Sequence, residues 1–175
     1  MITPVTMHDS VCEFLKSEVA DRYTLKAEDR NGELTYRNPQ VIRSGRILPK
    51  SIDADNNIDE EFPFIIPRIW KVENVPNERV SVVTLLVLFG VFDPGVYEDG
   101  ALVDDGSGYR DLWNLIESTR QAFFTNQTID NKYRVIDDHF EAEMIPEDTQ
   151  PYWEGYCKTK WHVAFPLPNL DETFF

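Results

Sequence analysis

The sequence is short of positive charge. Its 175 residues carry 17 Lys and Arg against 31 Asp and Glu, a formal net charge of -14. Such a surplus favours solubility and works against gripping a phosphate backbone, so no sequence-specific nucleic-acid binding is expected. Cysteine is scarce as well. Cys12 and Cys157 are far apart and form no CxxC pair, which is too little for a secreted disulfide framework and reads as reduced thiols in a cytoplasm. Long apolar runs are missing: the longest, Leu85 to Phe92, is broken by Gly90 and is too short to span a bilayer. The opening MITPVTMHDSV has neither the basic start nor the apolar stretch of a signal peptide. There is no GxSxG, no glycine-rich phosphate loop, and the three histidines are scattered. These absences lead to a soluble protein of cytoplasmic origin with no catalytic, cofactor-binding or metal-ligating residue assigned.

What is present centres on Arg79 to Phe92, RVSVVTLLVLFGVF. It is apolar at almost every position, rich in Val, and closed by a turn signal at Asp93-Pro94-Gly95. β-Branched residues suit a pleated surface and Gly90 would weaken a helix, so this is a buried central strand, with cover expected on both faces. Before it, FPFIIPRIWKV over 62–72 is strand-like, but Pro63 and Pro67 cannot donate to a ladder and demote it toward an edge. The short link NVPNE makes these two strands an antiparallel hairpin.

Residues 7–20 space Val11, Phe14, Leu15 and Val19 as a short amphipathic helix with Asp9 or Ser10 as N-cap. Tyr109 to Phe124 is the strongest helix pattern, with Tyr109, Leu112, Trp113, Ile116 and Phe123 on one stripe. Two alternating stretches close the chain. In 133–145, Ile136, Phe140, Ala142 and Met144 oppose Asp137, His139, Glu141 and Glu143. In 153–165, Trp153, Cys157, Trp161 and Val163 oppose Glu154, Tyr156, Lys158, Lys160 and His162. A hairpin here brings Lys158 and Lys160 near Glu141 and Glu143. Trp70, Trp113, Trp153 and Trp161 are all placed at inward or interface positions.

The predicted fold is thus α+β: an antiparallel, about four-stranded sheet with two main helices packed on one face, in the order α-β-β-α-β-β. It is a single domain over 1–175, with a polar, partly mobile insertion at 27–61, where Asn31-Gly32 marks a small hairpin, and an extended arm at 166–175.

Three groups invite a chemical reading. Asp53, Asp55, Asn57, Asp59 and Glu61 alternate as a calcium loop begins, but Ile58 stands where the turn glycine belongs and Phe64 where the bidentate glutamate belongs, so a solvated acidic loop is the better reading. Asp104 and Asp105 ahead of the main helix form a capping loop, since they would repel an anion. His139, Glu141 and Glu143, with Asp137 and Lys158 or Lys160, have the residue types of a small metal-dependent nuclease, although cross-strand pairing on an exposed face accounts for them as well. Phe174 and Phe175, with Asp53, Asp55 and Asp59, are the candidates for contacts to a partner.

Taken together, FPFIIPRIWKVE, VVTLLVLFGVFD, GYRDLWNLIESTRQAFF and WEGYCKTKWHVAFPLP resemble the tail terminator, or tail-completion, proteins of tailed bacteriophages over residues 7–20 and 62–168. The resemblance implies a structural, non-enzymatic virion protein of the tail or neck, assembled in the host bacterial cytoplasm. It implies a ring, usually a hexamer, that caps the tail tube and joins it to the head-completion or connector protein. The alternative is a small metal-dependent nuclease, or another phage-associated enzyme, using the acidic and His-bearing face of the last hairpin.

Overall fold

In the computed structural model, residues 2–29, 31–44, 62–75, 80–145 and 151–164 are described. Helix α1 spans Pro4–Glu18 and is followed by a 3-10 turn, Ala20–Arg22. Strands β1 (Leu25–Glu28), β2 (Leu34–Arg37) and β3 (Gln40–Val41) precede the long hairpin β4 (Phe64–Val75) and β5 (Val80–Phe92). Short strands β6 (Val96–Glu98) and β7 (Ala101–Val103) lead to helix α2 (Ser107–Asn126). Strands β8 (Thr128–Ile129), β9 (Tyr133–Met144) and β10 (Tyr152–Ala164) complete the described chain.

The α+β expectation is corrected here. Half of the described residues lie in strands and only two helices are present, so the fold is mostly β. The main sheet has six strands, in the order β3-β4-β5-β10-β9-β8, and it is mixed, because β3 runs parallel to β4 at Gln40↔Phe64 and Val41↔Ile65. The two added edge strands have two residues each and carry no periodicity that a sequence could reveal. The β1–β2 and β6–β7 hairpins form two further small sheets.

The sheet is curled rather than flat, and α1 lies across its open side. The helix is hydrogen-bonded toward both margins. His8 Nε2 donates to the Pro67 carbonyl on β4 at 2.9 Å. On the opposite margin the Tyr133 hydroxyl on β9 donates to Thr6 Oγ1 at 2.9 Å, and Ser10 Oγ donates to Asp130 just beyond β8. Pro67, which has no N–H to offer, therefore stands where α1 covers the strand, as suits a proline near a sheet edge.

The helix begins earlier than its apolar spacing suggested. Thr3 is the N-cap, Thr6 completes a capping box and Pro4 opens the first turn, so the Asp9 or Ser10 cap is wrong. Met7, Val11, Cys12 and Leu15 are its buried residues. Helix α2 packs on β5, β10 and β9, burying Leu112, Leu115, Ile116, Thr119 and Phe123.

On β5 the residues Val83, Leu85, Val87, Phe89 and Val91 are all fully buried and form the spine of one core with both helices. Burying each such side chain contributes about 1.5–3 kcal/mol relative to leaving it in water. The opposite face is not covered to the same degree: Val82, Leu86 and Leu88 are only half-buried. The cover expected on both faces is thus only partial on this one. Near the Phe92 end that outer face is closed by rings instead. Phe62, Phe64, Phe92 and Tyr152 form a tilted cluster with centroids 4.7 to 5.6 Å apart. Gly90 lies beneath it, where a Cβ would stand 2.3 Å from Phe64 Cε1.

Trp161 is fully buried, T-shaped on Phe123 at 5.0 Å, with its Nε1 donating to Thr159 Oγ1 at 2.9 Å. Of the inward or interface positions expected for the tryptophans, Trp70 does not take an inward one. It falls in the register shift between Ile69 and Lys71, where β4 gains a residue, and is 62% exposed.

Candidate functional site

One polar cluster is built into the core at the start of α2. Asp93 ends β5 and is 1% exposed. Its backbone N–H is fixed by the Pro151 carbonyl at 2.8 Å, which aims the carboxylate at Lys26 on β1. Lys26 Nζ donates to Asp93 Oδ1 at 2.7 Å and to Ser107 Oγ at 3.1 Å. Ser107 Oγ also lies within short hydrogen-bond reach of Asp93 Oδ2, and the Gly95 N–H donates to Oδ1 at 3.1 Å. Burial alone would raise the Asp93 pKa, but the hydrogen bonds from Lys26, Ser107 and Gly95 outweigh it and hold it below the usual carboxylate range. Burial pulls Lys26 downward, and the bond and charge of Asp93 more than reverse that. Lys26 is thus locked as a cation and has no free pair with which to activate the Ser107 hydroxyl. The cluster ties β1, β5 and α2 together.

Around it the helix start is completed without a side chain at the cap. Gly106 takes the left-handed φ of 72° at the N-cap. Asp104 Oδ1 accepts from Gly106 N at 2.8 Å and Asp105 Oδ1 from Ser107 N at 2.9 Å. These two aspartates hold the loop that leads into α2. Gly108 is buried against the Trp153 indole, which occupies the space a Cβ would take, 2.3 Å from Nε1. Asp111 has its pKa raised by burial and then by the charge of Asp93.

The acidic and His-bearing face of the last hairpin does not come together as one ladder. Between the pairs Thr159↔Phe140 and Trp161↔Val135 the register of β9 shifts, so 136–139 bulge away from the regular pairing and separate Asp137 and His139 from Glu141 and Glu143. Glu141 pairs with Lys158, Nζ to Oε2 at 3.2 Å, while Glu143 accepts from the Tyr156 hydroxyl at 2.5 Å instead of meeting Lys160. Lys160 acts on Glu73 across the sheet, where Lys71 is the larger influence holding the Glu73 carboxyl low. Among the described residues no group of three or more His, Cys, Asp or Glu could hold a metal ion. The partner-contact candidates Asp53, Asp55, Asp59, Phe174 and Phe175 lie outside the described residues.

The cysteines are apart and inert. Cys12 is buried on α1 and its thiol is pushed up to about 11, chiefly by burial. Cys157 is fully buried on β10 and is raised further for the same reason.

Two surface features remain, and sequence reasoning passed over both. The β6–β7 hairpin carries Tyr97 at 75%, Leu102 at 57% and Val103 at 40% exposure. Its Asp99-Gly100 turn, both residues at positive φ, is a hairpin signal in the sequence. The second feature is the outer face of the main sheet. The registers put Arg68, Lys71, Arg134, Lys158 and Lys160 there with Glu73, Glu141, Glu143 and Glu154. Five cations against four anions make it locally +1 on a chain of net charge -14. No sequence window shows this, since the cations come from three strands.

No helix among the described residues is long and apolar enough to cross a membrane. In comparisons with known proteins, no protein-family model matches the chain and no curated protein matches it.

Proposed function

We propose that this protein is a structural subunit that assembles with copies of itself into a closed ring, with the tail terminator of a tailed bacteriophage as the specific role. In that role the ring caps the tail tube and joins it to the head-completion or connector protein, in the virion tail or neck, after assembly in the bacterial cytoplasm. The sixfold count and the terminator role come from the resemblance of the sequence.

The observation that carries the assembly reading is the β6–β7 hairpin. It has eight residues from Val96 to Val103, of which only Val96 is even half-buried. An isolated two-stranded hairpin is marginal in water, and one that shows Tyr97 and Leu102 to solvent gains stability by packing against another surface. The buried polar residues support the same reading. Lys26, Asp93 and Ser107 satisfy one another, and so they serve the fold.

Light scattering over a wide concentration range tests the reading. A mass that rises with concentration and stops at one closed multiple of the 20.4 kDa subunit is expected. Growth without limit, or a monomer that also fails to cap purified tail tubes, would overturn it.

A further inference from the structure

We infer that the β6–β7 hairpin of one copy docks on the outer face of the main sheet of the next copy. This rests on the assembly reading above and names the two surfaces that meet.

The hairpin is preformed for such a contact. Val96↔Val103, Tyr97↔Leu102 and Glu98↔Ala101 pair across it, so Tyr97 and Leu102 stand directly opposite on one face. Asp99 at φ 48 and Gly100 at φ 84 make the tight turn, and Gly95 at φ 84 lets the base close, since a Cβ there would stand 2.4 Å from the Val103 carbonyl oxygen. An ordered hairpin loses little conformational entropy on docking. Its tip and base are acidic: Glu98 and Asp99 at the turn, Asp104 and Asp105 after it.

The outer sheet face has the complementary character. Val82, Leu86 and Leu88 form a half-buried apolar strip along β5. The registers set Arg68 and Lys158 on either side of Leu86 and Lys71 and Lys160 on either side of the buried Thr84, while Glu73 and His162 flank Val82 and Ile66 and Tyr156 flank Leu88. These four cations are a large share of the chain's 17 basic residues. Lys71 and Lys158 already pair with Glu73 and Glu141, at 2.8 and 3.2 Å, but solvent-exposed pairs of this kind hold weakly and can be exchanged. An aromatic and aliphatic pair on an acidic hairpin fits the Leu86 and Leu88 end of the strip, where Arg68, Lys71, Lys158 and Lys160 stand around Leu86 and Thr84. A partner whose surface has the average charge of this chain would repel the tip instead. Hairpin and strip are different surfaces of the same subunit, so the contact is heterologous, and repeating it yields a ring when the rotation closes.

The experiment uses full-length chains in two variants. Tyr97→Ser with Leu102→Ser disables the hairpin, and Lys158→Glu with Lys160→Glu disables the face. All four side chains lie outside the buried core, and circular dichroism with a melting curve verifies that each variant folds. Each variant alone is expected to lose self-association, with the apparent Kd rising about 30-fold or more, the size of a hot-spot loss. Mixed one to one, they retain a single working contact, the intact hairpin of one on the intact face of the other. They should therefore form a two-subunit complex that grows no further. If the wild-type chain assembles and both variants assemble equally well, the docking assignment fails while the ring reading stands. If the wild-type chain stays monomeric at the highest concentration reached and also on purified tail tubes, both fall.

Discussion

Replacing Asp93 by Ala should be among the most damaging single changes to this fold. Asp93 is 1% exposed and accepts from Lys26, Ser107 and the Gly95 N–H. Removing it leaves the Lys26 ammonium, whose side chain is 19% exposed, without its ionic partner. Breaking one side of a buried pair costs about 3–5 kcal/mol, and the residual exposure of Lys26 places this case near 3. A domain of this size has only about 5–15 kcal/mol in hand, and each kcal/mol moves Tm by about 2–4 °C, so a fall of roughly 6–12 °C is expected. Replacing both partners, Lys26→Met with Asp93→Leu, removes the uncompensated charge and should recover much of the loss.

The pH dependence of the same pair has a definite sign. Asp93 titrates lower in the folded chain, so its contribution is present above the unfolded value near 4 and is lost as pH falls through the lower folded value. Lys26 titrates higher when folded, so its contribution is complete below about 10.4 and is lost as pH rises through the higher folded value. Urea melts of the four members of the cycle between pH 2 and 11 measure both limbs. A single Asp93→Ala cost under 1 kcal/mol, with the acid limb unchanged, would refute the account.

The other expectations concern packing and protonation. Gly90→Ala drives a methyl to within 2.3 Å of Phe64 and should cost about 1–3 kcal/mol in chemical denaturation, whereas Gly100→Ala, with open space around it but a φ of 84°, should cost less. Trp161→Ala empties a fully buried site and should cost about 3–5 kcal/mol. Asp111 is harder to ionise in the fold, so Asp111→Asn should raise Tm at pH 7, with the gain fading as pH falls through the raised folded value and gone below the unfolded carboxylate value near 4; equal melting at pH 7 would count against it. Cys12, pushed up to about 11, and buried Cys157 should both resist iodoacetamide in the native protein at pH 8 and react once it is unfolded.

Much of the candidate site was out of sequence reach for identifiable reasons. The acidic and His-bearing face of the last hairpin was drawn as an unbroken ladder because alternation was the visible signal, and alternation does not register the shift at 136–139. Nor does any sequence signal mark the extra residue between Ile69 and Lys71, which turns Trp70 out to solvent. Thr3-Pro4 held the start of α1 in plain view, yet the apolar spacing was followed instead.

By itself the sequence determined the strand at 79–92 and the helix at 109–124. Both follow from local side-chain chemistry: β-branched runs that favour a pleat, and an apolar stripe at helical spacing. It also determined the scarcity of cations and of cysteines. Tertiary structure alone decided that the sheet has six strands and curls around α1, because β3 and β8 exist only through pairing with β4 and β9. It alone joined Lys26 to Asp93 and Ser107, residues 67 and 81 positions apart from that lysine. It alone gathered cations from three strands beside the strip of β5. A charge on a strand has no address until register is set, and register is fixed by which face must be buried.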